Sequence, residues 1–135
     1  MPFPRLTEGL KTLGKQNARY CFIDSAPTIS AQTEALIAVA DLVVIPVRPS
    51  PADLWSVAET VALVKEGRKP LLFVVGQAKP QASMTAQAVA ALSAHGRVAQ
   101  SFIVDRVTYA ASMTGGRTAQ EINARGPAAA EIEEL

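Results

Sequence analysis

At 135 residues the chain is long enough for one domain with a single core. About half of it is hydrophobic, only 19% is charged and the net charge is +1, which excludes a disordered chain and any global attraction to nucleic acid or membrane. Its lone cysteine, Cys21, excludes an internal disulfide framework and fits a reducing cytoplasm, and no run reaches the ~18 apolar residues of a membrane helix.

The start, Met1 to Arg5, has no apolar stretch of the secretory kind, so a cytosolic protein is expected. A helix is expected over Leu6 to Lys15. The apolar run Tyr20-Cys21-Phe22-Ile23 then reads as a strand ending in Asp24, and Ser30 to Ala40 reads as a second helix. Leu42-Val43-Val44-Ile45 is the next strand. After it, Ser50 suits an N-cap, Pro51 the first helical position and Asp53 the place of a capping-box acid. Leu54, Val57, Ala58, Val61 and Val64 recur at helical spacing up to Glu66, and Gly67 closes the helix. Leu71 to Val75 is a third strand. Met84, Ala88, Ala91 and Leu92 mark a helix ended by Gly96, and Val98 to Val104 is a fourth strand. Thr118 with Glu121 forms a capping-box pattern, and a last helix is expected from Pro127 to Leu135.

Strand and helix alternate, and all but the last apolar run are near-continuously hydrophobic. That pattern predicts an α/β fold with a parallel sheet. The strands ending near Ile23, Ile45, Val75 and Val104 are expected side by side in that order. Right-handed crossovers would then put every connecting helix on one face. The other face must be covered by the N-terminal helix, the C-terminal segment or something outside the chain. An incomplete single domain over residues 1–135, with apolar surface left open and a tendency to self-associate, is therefore expected.

An apolar strand that delivers Asp24 at its C-terminal end is how P-loop NTPases place the acid that helps hold magnesium. By itself the pattern is weak, because such an Asp is more often a turn former. The residues around it are more specific. Cys21-Phe22-Ile23-Asp24-Ser25-Ala26-Pro27, followed by Ala40-Asp41-Leu42-Val43-Val44-Ile45-Pro46-Val47-Arg48-Pro49-Ser50-Pro51-Ala52-Asp53-Leu54, resembles the ParA/MinD family of deviant P-loop ATPases. The resemblance extends through Phe73-Val74-Val75, Gly116-Arg117-Thr118 and Gly126 to Ile132, and covers nearly everything after residue 18.

The resemblance implies an incomplete P-loop NTPase fold of the SIMIBI type. It implies a partition protein for plasmid or chromosome segregation, with ATP and Mg2+ as cofactors. Asp24 resembles the Walker B-like acid in the magnesium shell, and Pro27 shapes the turn after it. Pro46 and the Pro49 to Asp53 stretch resemble the loop and helix start near the dimer and nucleotide face. Gln77 stands near where the family usually has an Asn that reads the adenine edge, and Asp105 near its base-proximal loop. Ala26 replaces the commoner first proline. Implied partners are a ParA-like self or homologue, a ParB-like adaptor and non-specific DNA, with no membrane.

One family feature is missing from the sequence. No glycine-rich Gly-Lys-Thr/Ser loop occurs, and Thr114 to Thr118 is only the nearest approach. A truncated gene, a late start or a degenerate protein would each give this pattern, and the chain alone is expected neither to bind nor to hydrolyse ATP. The alternative reading is a non-catalytic module that dimerises with a full-length relative or binds an adaptor. Lys65, Arg68, Lys69, Arg97, Arg106, Arg117 and Arg125 are candidate DNA contacts, though ordinary solvated surface is the stronger reading. His95 suits a helix C-terminus, Trp55 suits core or interface packing, and Cys21 reads as a small buried hydrophobe. A phospho-acceptor receiver lacks its acidic pair and lysine here. A serine hydrolase lacks its Gly-x-Ser-x-Gly elbow.

Overall fold

The computed structural model describes residues 3–26, 28–79 and 83–135. Helix α1 spans Phe3–Lys15 and α2 spans Ala31–Val39; Ser30 caps α2 through its hydroxyl, which accepts from the Thr33 amide. Strand β1 (Val43–Val47) leads into helix α3 (Pro51–Glu66), and β2 (Leu71–Val75) into α4 (Ser83–Ser93). Then come β3 (Arg97–Val98), α5 (Val107–Thr114), α6 (Ala119–Ile122) and α7 (Pro127–Glu133). No helix among the described residues is long and apolar enough to cross a membrane.

Three strands form a parallel sheet in the order β1-β2-β3, with Val43 to Val47 paired in register with Leu71 to Val75. Alternation decides which side chains enter the core. Ile45, Val47, Phe73 and Val75 point to one face, where Val57 and Val61 of α3 and Leu92 of α4 meet them. Phe73 and Val75 are fully buried. Both connecting helices lie on that face, as right-handed crossovers require. On the opposite face Val44 stays 48% exposed and Pro46 is exposed, while Leu72 and Val74 are half-buried.

The fourth expected strand, Val98 to Val104, survives only in part. The Phe73 carbonyl accepts from the Ala99 amide and the Val75 carbonyl from the Ile103 amide, so two positions along β2 correspond to four along its partner. The chain bulges between them and rejoins at an isolated parallel bridge, Ala78 with Val104.

The first expected strand does not form. Tyr20 to Ile23 takes no regular secondary structure and is unpaired, with Tyr20 84% and Phe22 93% exposed, and no strand lies beyond β1 among the described residues. Cys21, expected inside that strand, is correspondingly exposed. The physical reason is that a strand's backbone groups are satisfied only by a neighbour, and none is at hand. Trp55, expected in packing, is 77% exposed on α3.

Candidate functional site at the carboxyl edge of the sheet

Parallel α/β sheets bind ligands where the strands' carboxyl ends open into loops. Here that edge carries a shallow cleft of about 220 Å³ lined by Pro46, Val47, Arg48, Asp53, Ser56, Val57, Gly76 and Gln77. The end of β1, the end of β2 and the first turn of α3 converge on it.

The helix start fixes its polar wall. Ser50 is the N-cap of α3, and its Oγ accepts from the Asp53 amide at 3.3 Å. The same hydroxyl donates to Asp53 Oδ2 at 2.6 Å. Asp53 was expected to reach back to the Ser50 amide as in a capping box. That amide instead donates to the Arg48 carbonyl at 2.8 Å, which leaves the carboxylate for other donors. Arg48 takes it side-on, Nε to Oδ2 at 3.0 Å and Nη2 to Oδ1 at 3.1 Å, the bidentate geometry that suits guanidinium and carboxylate. The Arg48 hydrogen bond, and then that of Ser50, hold the Asp53 carboxyl below its ordinary range; the same bond raises Arg48.

Gln77 lies on the cleft with φ of 50°, a left-handed conformation rare for a residue with a side chain. Pro46 and Gln77 are thus brought together. Asp24 and Asp105 are not: Asp24 sits in the unpaired segment before α2, and Asp105 is exposed with its amide donating to the Ala78 carbonyl at 2.9 Å. Pro27 lies outside the described residues. Arg48 and Ser50 completed the site without being singled out as ligands. Their signal was the spacing Arg48-x-Ser50-x-x-Asp53, in which the cap and the ion pair share one carboxylate.

A second polar cluster ties the end of the chain to the bulged strand. Glu131 of α7 accepts from Arg106 Nε at 2.7 Å, from the Tyr109 hydroxyl at 2.8 Å and from the Val104 amide at 3.1 Å. Burial pushes the Glu131 carboxyl up, but these donors outweigh it and hold it below the ordinary range. Burial and the adjacent carboxylate push Tyr109 up to about 12. Arg106, a candidate DNA contact, is committed to this internal pair. His95 lies in a small groove between α3 and α4, and no metal-binding cluster exists among the described residues.

The cleft does not fit a magnesium nucleotide. Its volume lies below the roughly 300–1,000 Å³ of small-molecule sites. Its one cation is already neutralised by Asp53, so the wall presents a paired carboxylate where phosphates would need free donors.

No protein-family model matches the chain. The chain is similar to the Maintenance of carboxysome distribution protein A of Halothiobacillus neapolitanus (strain ATCC 23641 / c2), at 29% identity over 126 residues. That stretch is 88% of this chain and 58% of the relative, so the chain spans little more than half the length of the protein it matches. The likeness supports a ParA/MinD-like relationship at this coarse level.

Proposed function

We propose that this chain is part of a ParA-type positioning protein, one that distributes a cellular cargo such as plasmid or chromosomal DNA. We further propose that these 135 residues alone neither bind nor hydrolyse ATP. The observation that carries the reading is local. The Ala40 to Leu54 stretch, the most family-specific in the sequence, folds as a strand, a polar turn and a capped helix at the carboxyl edge of a parallel sheet. The relative's name, which refers to carboxysome distribution, supports a positioning role.

In such proteins ATP and Mg2+ supply a phosphate chain whose hydrolysis switches the protein between states. Asp24 is the residue proposed to serve the magnesium, Gln77 and Asp105 the base, and Pro27 and Pro46 the turns that frame them. Without a phosphate cradle, Asp24 repels phosphates instead of organising a metal for them. Calorimetric titration with Mg·ATP, beside phosphate release, tests this on the chain and on Asp24→Ala. The expected result is no binding and no turnover. Micromolar affinity that Asp24→Ala abolishes would overturn it. In a longer form bearing a glycine-rich Lys-Thr loop, the same substitution should remove activity.

A second reading is a non-catalytic module that docks on a full-length relative or a ParB-like adaptor. It is favoured by the half-exposed Leu42 and Val44 at the sheet edge. A change of mass in light scattering, on mixing the purified chain with such a partner, distinguishes it.

A further inference from the structure

Three described residues other than glycine have a left-handed backbone: Asn17, Arg68 and Gln77, with φ of 59°, 54° and 50°. Two of them are explained within a few residues. Asn17 and Arg68 each follow a helix, and the next amide closes back onto its last turns, Ala18 to the Leu13 carbonyl and Lys69 to the Val64 carbonyl. Gln77 follows a strand instead. The amide after it, that of Ala78, goes to the Ile103 carbonyl at 3.0 Å, far along the chain. Its conformation is therefore held by bonds from elsewhere in the fold.

Those bonds grip both neighbours of Gln77. On one side the Gly76 amide donates to the Val47 carbonyl at 2.9 Å. On the other, Ala78 is buried, and its carbonyl accepts from the Asp105 amide at 2.9 Å. Ile103 and Asp105 thus hold Ala78 through both of its backbone groups. Val104, between them, gives its amide to Glu131 Oε2 at 3.1 Å. The bulge before Ile103 interrupts the ladder to β2, so the sheet alone does not fix this stretch. Glu131 is itself well fixed. Ala128 and Ala129 bury the same helix, and Arg106 and Tyr109 hold the carboxylate.

We infer that α7 clamps the wall of the cleft: Glu131, by holding Val104, keeps Ile103 and Asp105 on Ala78 and so keeps Gln77 left-handed at the rim. Glu131 lines no part of the cleft and acts as a positioning residue. The inference does not depend on the function proposed above. The coupling runs in both directions. Displacing α7 lets Gln77 relax toward the extended region, and a ligand seated against left-handed Gln77 tightens α7.

Amide exchange read by nuclear magnetic resonance on the full chain tests the inference, with Glu131→Ala compared against the parent. The reference is the Val43 amide, which lies in the same sheet and donates to the Pro70 carbonyl at 3.0 Å. In Glu131→Ala the Ala78 and Asp105 amides should quicken about tenfold more than Val43, the scale of one hydrogen bond to a charged group. The carbon shifts of Gln77 should move away from left-handed values. Gln77→Gly, which makes that conformation free of strain, should recover most of the lost protection when added to Glu131→Ala. Glu131→Gln keeps the side chain's shape and an acceptor for Val104. It should move the same amides in the same order by less, and it carries the test if the alanine variant does not fold. Equal quickening of Val43 overturns the inference, since Glu131 would then support the whole fold and not the cleft wall. So does an Ala78 amide already unprotected in the parent, unchanged Gln77 shifts, or a double variant that recovers nothing.

Discussion

Tyr20-Cys21-Phe22-Ile23 and Leu42-Val43-Val44-Ile45 are nearly interchangeable as sequence, and the structure treats them in opposite ways. The second is a paired strand with Ile45 buried; the first stands in solvent with Phe22 93% exposed. Composition does not separate them, since both are runs of four apolar residues dominated by aromatic or branched side chains. What separates them is a neighbour. β1 is joined by α3 to β2, and the crossover returns a partner in register. Tyr20 to Ile23 has α1 before it and α2 after it, and neither brings a strand alongside. Strand formation is a pairing event, so an apolar run specifies only half of it.

The sharpest way to break the comparison is to remove one large side chain from each region. Phe73 is fully buried between the two helices and the sheet. Phe73→Ala should cost about 3–5 kcal/mol of unfolding free energy, from lost burial and the cavity left behind. Urea denaturation followed by circular dichroism checks it, with a lower midpoint at unchanged slope as the expected signature.

The next effect concerns how the C-terminal helices are held. Glu131→Gln keeps the shape of the side chain but removes the charge that Arg106, Tyr109 and the Val104 amide share. It should cost about 1.5–3 kcal/mol at neutral pH, as for hydrogen bonds to charged groups. The pH dependence follows from the directions of the shifts. Glu131 is lowered in the fold, so its contribution is present above the ordinary carboxylate pKa and is lost as pH falls through the folded value. Tyr109 is raised to about 12, so its neutral form is favoured in the fold. That contribution is complete below the ordinary tyrosine pKa of about 10 and is lost as pH rises past it toward the folded value. In a Tyr20→Phe background Tyr109 is the sole tyrosine. Its phenolate absorbance should titrate near 12 and shift downward when Glu131 becomes Gln.

Much of this arrangement was legible in the residues. The start of α3 at Pro51, its Ser50 cap and its end at Gly67 followed from cap chemistry, which acts within four residues and needs no tertiary partner. The Thr118–Glu121 capping box formed for the same reason. With the strands expected in chain order, the single helix-covered face followed from crossover handedness. Helix α5 was not anticipated: Val107 to Thr114 has no side-chain cap at its start, and it is held largely through Tyr109 to α7, a contact far off in sequence. The Glu131 cluster was illegible for that reason, since its four residues are spread from Val104 to Glu131. At the cleft, Pro46 and Gln77 came together because both follow paired strands. Asp24 did not join them, because its delivery depended on a strand that lacks a neighbour.

A smaller effect is expected where cap and cleft coincide. Ser50→Ala removes both the acceptor for the Asp53 amide and a donor to its carboxylate, and should cost about 1 kcal/mol, as for an N-cap. Exchange of amides in the first turn of α3 should quicken before the rest of the helix responds. Asp53 should also become easier to protonate, since Ser50 is among the donors that lower it.

The smallest effect is the counterpart of the first. Phe22→Ser removes a side chain as large as that of Phe73, yet this one is almost wholly in water and touches no core residue in the isolated chain. Burial energy scales with area withdrawn from solvent, and here almost none is withdrawn. The unfolding free energy should therefore change by no more than about 0.5 kcal/mol. A loss approaching that of Phe73→Ala would mean that Tyr20 to Ile23 is packed within a single chain. The two apolar runs would then differ in degree only, and the distinction drawn between them would fail.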